Sequence, residues 1–336
     1  MSPMKVCFIG FGRRAKTFIG ELAAFSDVEV AAVCDPYEKI GALCPAYDNV
    51  QSMLQTERPD VVIDVTPPKF RFENILRCDK AGVPLICEKP LFFSKREEDI
   101  LRGISISVYP AYQLQFDGSI SKAFEIAKKI GIETAELSQR VSVTPLGWRD
   151  RKEIGLGGCL LDNGSHLVQL LVHNFGMPAN VFSHLQGPKS GVERVASSII
   201  VYPQFICRLH TAWTSPIGKE TRIALTGKNE EVCFLETNEG VRLWKSGLTH
   251  AGDWSARKEQ YIYERRGLER DIRRNPFNQT RHNPTRQMLR AFFDDAKKGA
   301  SAPSTYAQSL FETALLTSRV IHKLYESGRR GKALTA

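Results

Sequence analysis

The chain has 336 residues, 42% of them hydrophobic and 25% charged, and a formal net charge of +9. That length suits two domains, and the composition is near the globular average, which excludes a disordered or fibrous chain. No apolar run approaches the ~20 residues of a membrane-spanning helix.

In chain order, a strand pattern begins at Met4 (Val6–Ile9), which leaves no room for a signal peptide. A helix is predicted from Arg13 to about Ala24, a second strand at Val28–Cys34, and a short helix at Gln51–Gln55. A strand at Val61–Val65, a helix around Phe72–Ala81 and a strand at Val83–Cys87 follow. Continuous Val/Ile-rich strands separated by helices mean a parallel sheet covered on both faces. Residues 1–117 are therefore expected to form a doubly wound α/β domain of the Rossmann type.

Beyond Asp117 the pattern changes. A helix at Ser121–Ile130 precedes alternating segments at Glu133–Val143, Val195–Tyr202, Phe205–Trp213 and Thr221–Leu225, with turn signals at 227–229 and 238–240. Alternation at period two predicts an antiparallel or mixed sheet with one buried face. A helix from near Asp162 to about Phe175 interrupts it, and the tail from Thr285 to Glu326 reads helical with a break near 299–304. Residues 118–336 are thus expected to form a second, α+β domain.

Charge divides unevenly between these halves. Residues 1–117 carry 14 basic and 16 acidic side chains, whereas the remainder carries 32 and 21. A basic second half suggests an anionic ligand there, and the charge alone suits nucleic acid or a phosphorylated small molecule equally. The eight cysteines are scattered without a C-x-x-C pair, several of them in apolar runs. Reduced, buried thiols in a cytoplasmic protein are expected, not a disulfide frame or a zinc site.

Gly10-Phe11-Gly12-Arg13-Arg14-Ala15 reads G-x-G-x-x-A and stands between the first strand and its helix. Gly10 permits the tight turn, Gly12 lets backbone approach a pyrophosphate, and the helix N-terminus offers N–H groups to the phosphates. Asp35, 23 residues after Gly12, ends the second strand, where a carboxylate accepts from ribose hydroxyls and repels a 2′-phosphate. NAD is the expected cofactor, with NADP left open by Arg13 and Arg14. Thr66-Pro67-Pro68 and Glu88-Lys89-Pro90 follow the third and fourth strands, at the carboxyl edge where such sheets place ligands.

A further constellation is Gly157-Gly158-Cys159-Leu160-Leu161-Asp162-Asn163-Gly164-Ser165-His166. Asp162 and His166 are four apart, so on a helix they share a face. A carboxylate, an imidazole and a lysine are the groups needed to move a proton while hydride leaves. No third ligand lies at metal spacing, so no metal is expected.

Together, G-x-G-x-x-A, E-K-P, the Trp148-Arg149 pair and G-G-x-L-x-D-x-G-x-H resemble the Gfo/Idh/MocA family of oxidoreductases over nearly the whole chain. The resemblance implies an N-terminal Rossmann domain and a C-terminal domain with an open-faced, mostly antiparallel sheet that packs into homodimers or homotetramers. It implies NAD(P)-dependent oxidation or reduction of a secondary alcohol on a sugar, sugar nucleotide or inositol. Lys89, Asp162 and His166 take the places of the family's catalytic groups. Gly10, Phe11, Gly12, Arg13, Arg14, Asp35, Thr66, Pro67, Glu88 and Lys89 are the expected cofactor contacts. Tyr112, Trp148 and Arg149 join Asp162 and His166 as expected substrate contacts. Two positions depart from the family pattern, Gln169 where an aspartate is common and Arg71 where a histidine is.

Between Ser255 and Arg290 there are ten basic and four acidic residues, including Arg265, Arg266, Arg270, Arg273, Arg274, Arg281 and Arg286. This run reads as a solvated face or as a group for an anionic substrate. Two other functions fit the same fold: a regulatory protein that binds cofactor and sugar without turnover, and a reductase of C=N or C=C bonds. With no helix-turn-helix or zinc module, nucleic acid is not an expected partner.

Overall fold

The structure is a computed structural model that describes residues 2–37, 44–143, 147–188, 191–215, 218–238, 240–248, 257–266, 283–298 and 302–336, with side chains left aside for 248 and 257–266. It divides into two compact units. The first comprises Met1–Gln113, Glu153–Leu156 and Pro284–Ser318, and the second comprises Leu114–Lys152, Gly157–Asn283 and Arg319–Ala336. A single cut at 117/118 therefore misses the return of residues 284–318 to the first unit.

The first unit holds strands β1 (Met4–Ile9), β2 (Val28–Cys34), β3 (Ala46–Tyr47), β4 (Val61–Asp64), β5 (Leu85–Cys87) and β6 (Val108–Pro110). All neighbours pair in parallel, in the order β3-β2-β1-β4-β5-β6. The helices of this stretch are α1 (Arg13–Leu22), α2 (Val50–Glu57), α3 (Pro68–Ala81) and α4 (Lys95–Leu101). Every residue of β4, β5 and β6 is buried, as a sheet covered on both faces requires. The helix ends follow local chemistry. Asn49 caps α2 by accepting from Ser52 N–H at 3.0 Å, Pro68 opens α3, and Ser94 with Glu97 forms a capping box on α4. The order in which the strands are laid down reverses between β1 and β4, so the carboxyl ends of these parallel strands form the topological switch point.

The return segment is tied to this unit by charge and ring contacts. On the first late helix (Pro284–Ala296), Arg286 pairs with Glu21 at 2.7 Å and Arg290 with Asp27 at 2.9 Å, and Lys297 just beyond also reaches Asp27. Tyr109 stacks on Phe292 at 5.1 Å and donates to Asp295 at 2.9 Å. Hydrogen bonds from Arg290 and Lys297 hold the Asp27 carboxyl well below the usual carboxylate range. A depressed folded value contributes stability above the unfolded Asp value of about 4, lost as pH falls below it. Asp27→Asn is therefore expected to lower stability at pH 7 by less than ~1 kcal/mol for a half-exposed cluster, read as a small fall in Tm. The difference from wild type should shrink below about pH 4, and a gap constant from pH 7 to 3 would exclude this linkage.

The second unit begins with α5 (Gly118–Ile130) and β7 (Ile132–Arg140), and a short α6 (Lys152–Gly155) spans the unit boundary. Then come α7 (Ser165–Phe175), β8 (Asn180–Gln186), β9 (Val195–Val201), β10 (Ile206–Ala212), β11 (Glu220–Gly227), β12 (Glu230–Thr237), β13 (Gly240–Leu248) and β14 (Arg257–Arg266). The late helix described above is α8; α9 (Thr305–Arg330) contributes to both units, and β15 (Leu334–Thr335) ends the chain. The nine-stranded sheet runs β14-β13-β12-β11-β7-β10-β9-β8-β15 and is antiparallel except for the β7/β10 pair. Burial alternates along β8, β9 and β10, so Phe182, Ile199 and Ile206 remain exposed on the outer face. Among the described residues no helix is long and apolar enough to cross a membrane. All eight cysteines are free thiols, and seven are buried, with burial pushing Cys7 and Cys159 up to about 12.

Candidate active site

The glycine loop leaves β1 at Gly10, whose φ of +91° lies in the left-handed region. A Cβ there would also make a tight 3.3 Å contact with the Thr66 methyl, adding to the strain that the positive φ imposes on any other residue. Gly12 precedes α1 with no side-chain cap and no acidic residue in the first turn, so the helix N–H groups are not taken by a capping side chain. The position of its missing Cβ meets nothing within 4 Å, which leaves a cradle of open space over the helix N-terminus. That opening lets an anionic pyrophosphate approach the uncapped N–H groups at the positive end of the helix dipole. Asp35 pins the loop, its Oδ2 accepting from Phe11 N–H at 2.7 Å and its Oδ1 from Tyr37 N–H at 2.9 Å. Arg13 is exposed, whereas Arg14 is committed to Glu88 and to Gln113 (3.1 Å) and lies 4.4 Å over the Phe18 ring.

The neighbouring strand ends are held by buried polar groups. Asp64 accepts from Thr66 N–H at 2.8 Å, Thr66 Oγ1 at 2.6 Å and Asn74 at 3.0 Å, and burial raises its carboxyl above the ordinary value. Arg71, 5% exposed, donates to the Thr66 carbonyl at 3.0 Å and to the carbonyls of Lys89 and Pro90. One guanidinium thus links the Thr66-Pro67 end of β4 to the Glu88-Lys89-Pro90 end of β5. Lys89 is itself buried. Burial acts to raise the Glu88 carboxyl, but Arg14, Lys89 and Arg71 outweigh it and hold the group below its ordinary value. Tyr112, after β6, is buried too, and burial raises its phenol.

In the second unit the expected helix at Asp162 starts differently. Residues Leu160–Gly164 form a wide π turn that runs into α7 at Ser165. Such turns are rare and concentrate at functional sites. Asp162 is partly exposed and lies 3.6 Å from Arg149 Nε, while the Arg149 guanidinium sits 4.6 Å over Trp148. The structure therefore brings Trp148, Arg149 and Asp162 together, and places His166 in the buried first turn of α7. Trp213 donates to Asn163 at 2.8 Å, Asn163 to Gln139 at 3.2 Å, and Gln139 to Thr221 at 2.9 Å, anchoring the turn on the sheet. Gln169 donates to Gln115 at 2.6 Å.

Sequence reasoning missed Glu193. Its carboxylate accepts from Gly158 N–H at 2.9 Å, Leu160 N–H at 3.0 Å and Tyr325 O–H at 2.6 Å. It precedes β9 with no local motif around it, so only the tertiary structure reveals it. The Arg265, Arg266, Arg270, Arg273, Arg274 and Arg281 side chains lie outside the described residues, and Arg286 is engaged by Glu21. Among the described residues no group of three or more His, Cys, Asp or Glu side chains is gathered for a metal.

Comparison with known proteins fits this geometry. Residues 4–101 match the family model described as oxidoreductase family, NAD-binding Rossmann fold, and residues 131–232 match the GFO/IDH/MocA C-terminal domain. D-glucoside 3-dehydrogenase of Escherichia coli (strain K12) is 29% identical over 195 residues, which are 53% of this chain and 56% of that protein. The scyllo-inositol 2-dehydrogenase (NADP(+)) IolW of Bacillus subtilis (strain 168) is 25% identical over 208 residues, 58% of each chain. The matches thus span a little over half the length of these curated relatives. Among solved structures, a levoglucosan dehydrogenase in complex with NADH superposes with a TM-score of 0.79 at 15% identity, covering 99% of each chain. GenD2 from gentamicin A biosynthesis, in complex with NAD, gives 0.80 at 19% identity over 100% of this chain and 97% of that one. At such identities the likeness is one of fold. Both domain models match in order along one chain, the first over the glycine loop and the E-K-P strand end and the second over the π turn, and the protein belongs to the Gfo/Idh/MocA oxidoreductase family.

Proposed function

We propose that the protein is an NAD(P)-dependent dehydrogenase/reductase acting between a secondary alcohol and a ketone on a sugar, a sugar derivative or a cyclitol. The observation that carries this reading is the open cradle at Gly12, with Asp35 pinning the loop, on a chain that also holds the buried Lys89 and the Asp162/His166 turn. Gly10, Phe11, Gly12 and Asp35 hold the dinucleotide, with Arg13, Arg14, Thr66, Pro67 and Glu88 around it. The bound nicotinamide supplies the hydride acceptor or donor. His166 takes the hydroxyl proton in oxidation and returns it in reduction. The Lys89 ammonium stabilises negative charge developing on the reacting oxygen. Asp162 orients substrate, with Arg149, Trp148 and Tyr112 as further substrate contacts. An anionic group on the substrate would suit Arg149. The exposed Phe182, Ile199 and Ile206 support a homodimer or homotetramer through the outer sheet face. The free thiols suit the reducing cytoplasm.

The deciding experiment follows NADH fluorescence with methyl glucosides, levoglucosan, inositols, sugar phosphates and sugar nucleotides, each with NAD and NADP. Turnover abolished in Lys89→Ala and His166→Ala would establish the reading. Tight cofactor binding with no turnover would favour the regulatory alternative, and normal turnover in His166→Ala would favour C=N or C=C reduction. Cofactor choice is testable separately by titration. Asp35→Ser is expected to weaken NADH by about tenfold, equivalent to ~1.4 kcal/mol, and to improve NADPH relative to NADH. Unchanged Kd values for both would remove Asp35 from ribose recognition.

A further inference from the structure

Glu193 grips the start of the π turn from outside the helix. Its carboxylate accepts from Gly158 N–H at 2.9 Å and Leu160 N–H at 3.0 Å, and its backbone carbonyl accepts from Cys159 N–H at 3.1 Å. Three successive amides, all in front of Asp162, are therefore satisfied by one residue 33 to 35 positions away in sequence. The grip is backed by Tyr325, whose hydroxyl donates to the same carboxylate oxygen at 2.6 Å. It also demands both glycines. A Cβ on Gly157 would stand 2.3 Å from the Tyr325 hydroxyl, and one on Gly158 1.8 Å from the Glu193 carbonyl.

A helix ordinarily receives its N-terminal acceptor from the residue before it. Here Cys159 precedes the turn and supplies no side-chain cap. The imported carboxylate replaces that cap and places negative charge at the positive end of the turn. Because it bonds both residue 158 and residue 160, it constrains rotation of the turn as well as its position. The rotational phase of the turn sets where Asp162 and the first residues of α7 point.

We propose that Glu193, buttressed by Tyr325, is a positioning residue that sets the phase of the helix start carrying Asp162 and His166; the catalytic consequence rests on the acid–base role given to His166 above. Glu193 touches neither substrate nor cofactor in this role. Burial raises its carboxyl above the ordinary value against the opposing hydrogen bonds, which is the cost of importing a carboxylate into this position.

The test uses the full chain in three variants. Glu193→Gln keeps an acceptor for both amides, Glu193→Ala removes it, and Tyr325→Phe removes only the buttress, which guards against a Glu193→Ala protein that does not fold. Hydrogen exchange should accelerate about tenfold or more at amides 158–160 in Glu193→Ala, less in Tyr325→Phe, and little in Glu193→Gln. The His166 ring resonance, assigned by its loss in His166→Ala, should move in the same order. If exchange rises equally on β9 and β10, or the His166 resonance stays fixed in Glu193→Ala and Tyr325→Phe, the positioning role is overturned. With methyl β-D-glucoside or scyllo-inositol as the oxidised probe, Glu193→Ala should lower kcat about tenfold or more at nearly constant KM, and the effect should vanish in a His166→Ala background. Full turnover by His166→Ala would instead refute the catalytic reading and leave the exchange data to decide the grip.

Discussion

His166→Ala is expected to reduce turnover by about 10²–10⁴-fold, the usual contribution of a positioned acid–base group. Lys89→Met should cost a comparable factor by removing the charge that stabilises the developing alkoxide. Neither residue belongs to the glycine loop, so NADH affinity by fluorescence titration should stay within about twofold for His166→Ala. The two losses should also fail to add. A proton acceptor and an oxyanion stabiliser act on the same O–H bond, and removing either disables most of what the other contributes. The double variant should therefore resemble the worse single variant, and multiplicative losses would mean that the two groups act on separate steps. Arg71 refines the expectation for Lys89. It bonds the Lys89 carbonyl, so the lysine backbone is fixed by a second buried cation. Arg71→Met should therefore lower kcat by loosening the Lys89 backbone while retaining the Lys89 side chain, an effect a spectator arginine would not have.

The first unit was largely legible because its signals are local. The apolar runs at Val6–Ile9 and Val61–Val65, and the glycine loop between strand and helix, each report burial or backbone geometry within a few residues. The structure places β1, β4 and α1 close to those readings. Alternation in Val195–Tyr202 and Phe205–Trp213 likewise indicates one buried face, and β9 and β10 pair antiparallel within those segments. What escaped was long-range. Nothing near Arg290 indicates that it pairs with Asp27, so the return of residues 284–318 to the first unit was invisible to a single cut at 117. Asp162 lies in a π turn and not in an α-helix, and the amides leading into that turn are bonded by Glu193, which carries no motif. Gly157-Gly158 was readable as a motif, but its cause is the close approach of Tyr325 and Glu193. The arginine cluster shows the opposite error, in that Arg286 counted as a candidate anion ligand yet is already spent on Glu21.

Two glycine substitutions separate these causes. In Gly158→Ala the new Cβ would lie 1.8 Å from the Glu193 carbonyl oxygen and 2.8 Å from its carbon. Both are backbone atoms, and no rotamer change can clear them. The chain must either move β9's approach or release the amides of residues 158 and 160, and each route breaks buried hydrogen bonds. The expected cost is about 3 kcal/mol or more, in the range of severe overpacking combined with a lost buried bond network. It should appear as a large fall in Tm, with turnover lost through the displaced turn. Gly12→Ala differs in every respect. Its φ is −70° and its Cβ would meet nothing within 4 Å, so the apoprotein should keep its Tm. The added methyl does occupy the cradle where the backbone must approach a pyrophosphate, so NADH affinity should fall by about tenfold or more. One glycine is thus required by the protein's own packing and the other by its cofactor. A Gly12→Ala protein that binds NADH normally would remove the cradle from the binding site, whereas a Gly158→Ala protein with wild-type Tm would show that the turn can be held without Glu193.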